Sequence, residues 1–352
     1  MAGHLFIVRG NILRLHCDAW LLPSDCEAVV EDYWFERGLN ERSWWDMPKR
    51  GWSDGNGRSR TQALACHSEN RTGPRPWITD VGATDQTPFG WFVDGAVEFV
   101  RSAAASLRAT GHHSGRSKPL LALPVVGTRG GGGAKQALDI LEMLIPALLD
   151  EARSLDVDVA LVAFSSVAYA AAQEVRLQLA CSDEDHGVWN ELGKASLAGE
   201  AKALARRAEL GRLVVLIGAG VSVGAGVPSW NELLGELSKK AGLEENDLDS
   251  LDNLDRAQVL ERLLQTQGGA ADQVVRILNY YTRHSLAHSL LANLPVAEVV
   301  TTNYDTLYES ACRQALDPKQ LVVLGRGKRP DEAGGRWLLK IRLHRTKQPP
   351  NG

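Results

Sequence analysis

The chain has 352 residues, of which 44% are hydrophobic and 23% are charged, and this length and composition fit a soluble protein of two domains. Its net charge of −4 offers no basic field for nucleic acid, and no apolar run approaches the ~18 residues of a membrane span. The five cysteines are scattered without a CxxC pair and the N-terminus lacks a signal-peptide pattern, so we expect a cytoplasmic protein without disulfides or zinc.

The first part of the chain begins with two short apolar runs, Leu5–Val8 and Ala19–Leu22, which predict two strands at the start of a domain. Residues 31–90 carry many Trp, Arg, Gly and Asp residues without a clear period. We therefore expect an extended insertion with loops there, and we expect its aromatic residues to form local core rather than to cover a ligand.

Helical and strand patterns alternate from residue 91 onward. Apolar runs of strand length are bounded by turn residues, and the helical segments carry apolar residues on one face. This alternation predicts an α/β/α layer domain. The predicted elements are, in order, a helix at Trp91–Ala105, a strand at Pro119–Val126, a helix with Ala137, Leu138, Ile140, Leu141, Leu144, Ile145 and Leu148 on one face, a strand at Val157–Phe164 and a helix near Ser166–Leu177.

A run of glycines joins the predicted strand at Pro119–Val126 to the helix that follows it. Backbone amides in such a loop can surround a phosphate, so Gly127, Gly131, Gly132 and Gly133 are candidate ligand-binding residues. The alternative is a low-complexity surface loop that binds nothing.

Three segments of this region resemble a macro domain, the fold that binds ADP-ribose and its relatives: RGNILRLHCDAWLLPSD at 9–25, LLALPVVGTRGGGGAKQAL at 120–138 and VALVAFSSVAYAAAQEV at 158–175. The resemblance implies a macro-like, nucleotide-sensing domain over residues 1–180 that takes an ADP-ribose-like ligand. Asn11 stands where the family usually has an acidic residue that contacts adenine. We therefore do not expect ADP-ribosyl hydrolysis, and the alternatives are binding of a nucleotide-like signal and simple use as a scaffold.

A second domain follows a polar connector with an alanine-rich helix, which we place at 181–209. The stretch LVVLIGAGVSVGAGVPSW, Leu213–Trp230, predicts a buried parallel strand, a tight glycine turn and the start of a helix. Glycines let a ligand approach the backbone closely, and the first amides of the helix can face a phosphate. A GxG at a strand end is a weak signal by itself, because most such sequences are ordinary turns.

A second motif lies about 80 residues downstream, after several helical segments between Ala257 and Asn293 that predict a small helical insertion. The strand Ala297–Thr301 ends in Thr302-Asn303-Tyr304-Asp305. Ligands of open α/β sheets bind at the carboxyl ends of the strands, so these polar residues are expected beside the glycine loop.

The two motifs together, GAGVSVGAGVPSW and TTNYDTLYE, resemble the sirtuin-like, NAD-binding Rossmann-like fold, in the branch whose members cleave NAD. This resemblance covers roughly residues 210–341 of a domain that we place at 210–352. It implies that Asn303 and Asp305 lie near the nicotinamide ribose and carry the chemistry. The implied NAD-binding residues are Gly218, Ala219, Gly220, Ser222, Gly226, Pro228, Trp230 and Thr302.

The implied reaction breaks the bond between nicotinamide and ribose through an oxocarbenium-like transition state. A neutral Asn can orient the ribose or the attacking water, and a carboxylate can anchor the carboxamide or stabilise positive charge. Deacetylases of this fold carry a four-cysteine zinc ribbon and Asp-Phe-Arg after the loop proline. This chain has no CxxC and has Ser229-Trp230-Asn231 there, so deacylation is not favoured. His284 and His288 lack an acidic partner for a metal and are expected to be exposed or packed histidines.

The chain departs from the family at its end. The family usually continues after Leu-Leu-Lys-Ile with His-Gly, whereas here Ile341 is followed by a polar, basic tail in which His344 lies in a different context. We therefore expect a C-terminally incomplete sirtuin-type domain with impaired NAD cleavage. The leading hypothesis is an NAD hydrolase, of the kind that serves bacterial antiviral defence by NAD depletion, with possible homo-oligomers implied by the resemblance. The alternatives are a catalytically impaired ADP-ribose or NAD-binding module, and a zinc-less deacylase or ADP-ribosyl transferase.

Overall fold

The chain divides into two compact units, Met1–Lys202 and Ala203–Gly352, and the division falls within the predicted connector. Each unit has a parallel sheet and a hydrophobic core of its own, which confirms the predicted α/β class. A computed structural model describes residues 2–25, 27–31, 34, 45–46, 60–66, 73–82, 87–113, 115–127, 137–182, 195–244, 247–315, 321–324 and 335–341.

The first unit is built on a six-stranded sheet with the order β1-β8-β7-β2-β6-β4. All neighbouring strands are parallel except β4, which runs antiparallel to β6 at the edge. A separate antiparallel pair joins β3 and β5. The elements are β1 Leu5–Arg9, β2 Ala19–Ser24, β3 Trp45–Asp46, β4 Thr61–Ala63, β5 Ala65–Cys66, β6 Arg75–Asp80, α1 Phe89–Thr110, β7 Leu120–Pro124, α2 Ala137–Leu155, β8 Asp158–Ala163 and α3 Ser166–Ser182.

The helices α1, α2 and α3 share one hydrophobic core with alternate residues of the sheet. Leu121 and Leu123 of β7 pack there, as do Val159 and Leu161 of β8, because side chains at every second strand position point to the same face. The apolar face predicted for α2 is buried as expected at Ile140, Leu141, Leu144, Ile145 and Leu148. Leu138 is an exception: it is 42% exposed, since it lies in the first turn of the helix.

The prediction of an insertion with loops over residues 31–90 is wrong for part of this segment. The strand β6 lies inside the main sheet and pairs in parallel with β2 along its whole length, from Ala19 opposite Arg75 to Ser24 opposite Asp80. Only Trp77 and Ile78 give β6 an apolar centre, and a sequence pattern this short does not stand out. Pairing with a buried neighbour supplies the order that the local sequence lacks.

The second unit contains a four-stranded, fully parallel sheet with the order β11-β12-β10-β9. Its helices α9 and α10 and the helix α4 pack on one face of this sheet. The elements are α4 Ala195–Glu209, β9 Val214–Ile217, α5 Gly220–Val223, α6 Trp230–Lys240, α7 Asn253–Leu263, α8 Gly269–Leu278, α9 Leu286–Ala292, β10 Glu298–Thr301, α10 Leu307–Ala315, β11 Leu321–Leu324 and β12 Arg336–Lys340.

The strand predicted to be buried at the start of this unit lies at the edge of the sheet formed by the described residues, and that prediction needs correction. Ile217 is 1% exposed, but Val214 and Leu216 are 53% and 72% exposed. The two buried or half-buried positions of β9, Val215 and Ile217, face the core with α9 and α10, and the alternate positions face away from it. The apolar run therefore predicted the presence of the strand correctly, but it did not predict the position of the strand in the sheet.

The predicted helical insertion is present between α6 and β10. Its helices α7 and α8 form a small core together with α6, around Leu234, Leu237 and Leu260. The capping box at Ser229 starts α6: its hydroxyl accepts the Glu232 N–H, and the Glu232 carboxylate accepts the Ser229 N–H. Among the helices that the structure describes, none is long and apolar enough to cross a membrane.

Candidate functional site

The candidate site of the second unit lies at the carboxyl ends of β9 and β10, which are neighbours in the parallel sheet. The pairing of Ile217 with Thr301 brings the two following segments side by side. The Thr301 hydroxyl donates to the Ile217 carbonyl at 3.0 Å, and the Thr302 N–H donates to the same oxygen at 3.4 Å. The two motifs thus meet at one edge of the sheet, as expected for strands that run in the same direction.

The segment after β9 is more ordered than the predicted tight turn. It contains one helical turn, α5, whose short bonds run from the Val221 N–H to the Gly218 carbonyl and from the Ser222 N–H to the Ala219 carbonyl. A left-handed residue, Gly226 with φ of 79°, ends this segment before Pro228. A helical turn satisfies backbone groups that an open loop would leave to water.

The glycines at the start of this segment border open space. A Cβ built on Gly218 or on Gly220 would meet nothing within 4 Å, and neither residue has a positive φ. Neither the local backbone nor the described neighbours therefore require glycine at these two positions. Both residues are exposed, so their backbone is accessible to a ligand that needs close approach.

Beneath this surface, Ser222 contacts three side chains: His288 of α9, and Asn303 and Asp305 of the segment between β10 and α10. The Ser222 hydroxyl is 1% exposed and donates its proton to Asp305 Oδ2 at 2.9 Å. The Ser222 Oγ atom also lies 3.4 Å from His288 Nε2 and 3.4 Å from Asn303 Nδ2. A hydroxyl has one proton and two lone pairs, so this arrangement uses all of its hydrogen-bonding capacity.

His288 is fully buried at the start of α9 and is held in one tautomer. The Ser285 N–H donates to Nδ1 at 3.2 Å and the Ser285 hydroxyl lies 2.8 Å from the same nitrogen, so the ring proton is on Nε2, facing Ser222. Burial lowers the pKa of His288 to about 4, although the Asp305 carboxylate acts in the opposite direction. The imidazole is therefore neutral at physiological pH.

The nitrogen of the Asn303 side-chain amide has hydrogen-bond partners, whereas its oxygen has none among the described residues. Its Nδ2 donates to the Gly218 carbonyl at 3.2 Å, which also fixes which end of the amide is the nitrogen. Its backbone N–H donates to the Thr301 hydroxyl at 3.0 Å. Its Oδ1 is buried and accepts no hydrogen bond from the residues that the structure describes. A buried acceptor without a donor costs about 1–3 kcal/mol, which makes this oxygen a candidate contact for a ligand.

Asp305 is more deeply placed than a residue that lines a ligand. It is 8% exposed, and both carboxylate oxygens accept internal bonds, one from Ser222 and one from the Leu307 N–H at the start of α10 at 3.0 Å. Its backbone carbonyl accepts a bond from Lys340 at 2.6 Å. These contacts fix the Asn303–Asp305 segment from three sides.

The other predicted ligand-binding residues remain predictions. Ala219 and Thr302 are exposed beside the network, on the surface where a ligand would lie. The structure places Pro228 and Trp230 beyond the glycine segment, where the half-exposed Trp230 is the first residue of α6. No hydrogen bond in the described part of the chain links either of them to the network. His344 lies outside the described residues.

Two members of this region were not assigned a role from the sequence. His288 was expected only as an exposed or packed histidine, and Lys340 was part of a strand pattern. The Ser285-x-x-His288 spacing at the start of α9 resembles a capping box, and it could have indicated that the His288 side chain accepts the backbone N–H of the N-cap residue Ser285. Nothing in the residues around Lys340 signals its contact with Asp305, because that contact spans 35 positions. In the described residues, no group of three or more His, Cys, Asp or Glu could hold a metal ion.

The predicted nucleotide site of the first unit is only partly described. Gly127 has a φ of 78°, and a Cβ there would lie 2.7 Å from the Phe92 ring, so the fold itself requires glycine at this position. Asn11 accepts a bond from the Leu13 N–H at 3.0 Å and caps a short 3-10 turn. The remaining predicted residues of the site, Gly131, Gly132 and Gly133, lie outside the described residues.

Three curated proteins named NAD(+) hydrolase ThsA match this chain in sequence, whereas no family model matches it. The Enterococcus faecium protein is 31% identical over 124 residues, which are 34% of this chain and 25% of that protein. The Acinetobacter baumannii protein is 33% identical over 117 residues, 31% and 22% of the two chains. The Bacillus cereus protein is 36% identical over 106 residues, 28% and 21% of the two chains. The predicted resemblance to NAD hydrolases is confirmed, and the chain spans about a quarter of the length of these relatives.

Solved macrodomains are among the structures that this chain resembles. The Oceanobacillus iheyensis macrodomain with ADP aligns with a TM-score of 0.36 and 12% identity, over 50% of this chain and 92% of that one. The Trypanosoma brucei macrodomain in complex with ADP aligns with a TM-score of 0.31 and 13% identity, over 49% and 69%.

Proposed function

We propose that this chain binds NAD at the edge formed by β9 and β10 and hydrolyses it to nicotinamide and ADP-ribose. The observation that carries this proposal is the Asn303 amide, whose nitrogen is held by the Gly218 carbonyl and whose buried oxygen has no donor among the described residues. The sequence similarity to the ThsA hydrolases supports NAD as the substrate.

In this proposal each residue of the site has one task. The open backbone at Gly218 and Gly220 admits the phosphates of NAD, because no side chain intervenes there. Asn303 Oδ1 accepts a hydrogen bond from a ribose hydroxyl or from the attacking water. Nicotinamide leaves as a neutral molecule with the electron pair of the broken bond, and water adds to the ribose carbon and releases a proton. Ser222, His288 and Asp305 hold Asn303 from below.

The test is nicotinamide release from NAD by the purified 352-residue chain. Asn303→Ala removes the amide that carries the proposal, and we expect kcat to fall about 100-fold or more, as for other single groups that stabilise a transition state. Asn293→Ala is the matched control, since this half-buried amide caps the end of α9 through the Ser289 carbonyl and lies outside the network. Its kcat should stay within about threefold of the wild type, because surface and cap changes act on stability rather than on chemistry.

Each possible result has a defined meaning. Release of nicotinamide that Asn303→Ala does not reduce would show that the reaction occurs elsewhere. Binding of NAD, measured by calorimetry, without any nicotinamide release would favour the binding-module alternative. If the chain neither binds NAD nor releases nicotinamide, the proposal as a whole is refuted.

The first unit, in the same proposal, is a macro-like nucleotide-binding domain whose ligand controls the hydrolase, and depletion of NAD serves antiviral defence. The support for this part is the sequence resemblance of residues 9–25, 120–138 and 158–175. Calorimetric titration of ADP-ribose into the full chain should then show a second binding event that Asn303→Ala leaves unchanged. In infected bacterial cells, NAD should fall with the wild-type chain and stay constant with Asn303→Ala.

A further inference from the structure

Lys340 is a buried lysine at the carboxyl end of β12. The register pairs it with Thr301 at the end of β10, so the two side chains share the sheet face that also carries Leu338 and packs against α10. The Lys340 side chain is 9% exposed, and that of its partner Glu309 is 4% exposed. A buried ion pair in this position calls for an explanation, because such pairs seldom add stability compared with apolar residues of similar size.

The Lys340 ammonium group has two acceptors. It lies 2.6 Å from Glu309 Oε1, on α10, and donates to the backbone carbonyl of Asp305 at 2.6 Å. The lysine therefore joins β12, the start of α10 and the segment between β10 and α10. An apolar residue could fill the same volume, but it could not donate to that carbonyl.

Asp305 passes this constraint on to the site. Its backbone is held by Lys340, and its carboxylate accepts bonds from Ser222 and from the Leu307 N–H. Ser222 in turn lies 3.4 Å from Asn303 Nδ2. Lys340 thus acts two residues away from Asn303 without touching the place where a ligand would lie.

We propose that Lys340 and Glu309 form a clamp that positions Asn303 and Asp305 for NAD cleavage. Lys340 is a positioning residue and Glu309 neutralises it. This inference rests on the proposed NAD hydrolysis. It separates two roles of the clamp: the paired charges allow the lysine to be buried, and the hydrogen bond to the Asp305 carbonyl sets the geometry of the site.

The decisive variant removes both members of the clamp. Lys340→Met alone leaves the Glu309 carboxylate buried without its partner, so it should lower the melting temperature and the activity together. The double variant Lys340→Met/Glu309→Leu removes both charges and should regain a melting temperature within a few degrees of the wild type. Its kcat for nicotinamide release should nevertheless stay about tenfold or more below the wild type, because the Asp305 carbonyl still lacks its donor. Recovery of both stability and kcat in the double variant would overturn the proposal.

Arg336 provides a matched control at the opposite end of the same strand. It is 6% exposed and, like Lys340, donates to backbone carbonyls, those of Val296 at 2.8 Å and Ala292 at 2.7 Å. Arg336→Met should lower the melting temperature and leave kcat of the folded protein within about threefold of the wild type, since it does not hold the site. An equal loss of kcat in Arg336→Met would show that any buried cation of β12 has the same effect, which contradicts the clamp.

A second measurement does not depend on NAD cleavage. The N–H groups of Asn303 and Leu307 donate to the Thr301 hydroxyl and to Asp305 Oδ1, and hydrogen exchange reports how firmly these bonds are held. Both amides should exchange about tenfold or more faster in the double variant than in the wild type. If the wild type releases no nicotinamide, the proposed function fails, and the exchange rates still decide the clamp: unchanged rates would refute it.

Discussion

Both units carry a glycine at the carboxyl edge of a parallel sheet, but the two edges use glycine for different physical reasons. At Gly127 the backbone has a φ of 78° and a Cβ would lie 2.7 Å from the Phe92 ring. At Gly218 and Gly220 the φ angles are not positive and a Cβ would meet nothing within 4 Å. The first glycine is required by the fold, whereas the other two leave space that the fold does not use.

Polar groups at the two edges differ in the same way. In the first unit, Ser24 donates to the Thr79 carbonyl and Asn11 accepts from the Leu13 N–H. In the second unit, Asn303 keeps a buried acceptor without a donor among the described residues. Ser24 and Asn11 of the first edge are thus satisfied internally, whereas Asn303 Oδ1 of the second edge has no donor among the described residues. A glycine-rich sequence is therefore informative only together with the conformation and surroundings of each glycine.

The largest expected effect is at Gly127. Gly127→Ala combines left-handed strain with a clash against Phe92, and we expect a loss of about 3 kcal/mol in the free energy of unfolding, measured with urea. Gly242→Ala separates the two causes, because Gly242 has the same φ of 78° and open space around its Cβ position. That control should lose only about 1–2 kcal/mol, the strain alone. Equal losses at both positions would contradict a packing requirement at Gly127.

The next effect concerns pH and the buried histidine of the second unit. The pKa of His288 is lowered by burial from 6.5 to about 4, so the folded state excludes a proton that the unfolded state binds. Neutral His288 is therefore fully compatible with the folded state above pH 6.5. As the pH falls from 6.5 towards 4, the free energy of unfolding decreases by up to about 3 kcal/mol. Unfolding free energies of the wild type and His288→Gln between pH 8 and 4 should converge as the pH falls. A constant difference would show that His288 does not titrate in this range.

The smallest effect tests the open glycines directly. Gly220→Ala should leave stability unchanged or raise it by up to about 1 kcal/mol, since alanine is the better helix residue. It should raise KM for NAD about tenfold if the backbone there meets the phosphates, which corresponds to ~1.4 kcal/mol of binding. Gly235→Ala in α6 is the control, because its Cβ also meets nothing and it lies outside the site. Equal KM values for both variants would remove Gly220 from the proposed pocket.

Much of the fold was predictable from local patterns. The alternating and continuous apolar runs indicated β1, β2, β7 and β8, and the helical period indicated α1, α2 and α3. The strand β6 was missed because its apolar centre is only Trp77 and Ile78, and β9 was placed in the interior although it is at an edge. Sheet order depends on which strands pair, and this information is distributed over residues that are far apart in sequence.

The candidate site was predictable to a lesser extent. The sequence indicated that the segments at 218–226 and 302–305 each follow a strand. In the structure these two strands are neighbours, so the segments lie side by side. The sequence contained no indication that Ser222 and Asp305 would lie beneath the ligand surface, because burial of a polar residue depends on its partners. His288 and Lys340 complete the site from positions that differ from Ser222 and Asp305 by 66 and 35 residues, a separation that no local pattern reports.

The sequence by itself determined the class of each unit, because strand and helix periods follow from where apolar side chains fall along the chain. It also determined the chemical groups of the candidate site, through the residues that follow β9 and β10. Only the tertiary structure decided which glycine is required by the fold, which amide oxygen lacks a donor among the described residues and which lysine holds the Asn303–Asp305 segment. These properties are set by neighbours in space, and the free energy of a buried polar group depends on those neighbours.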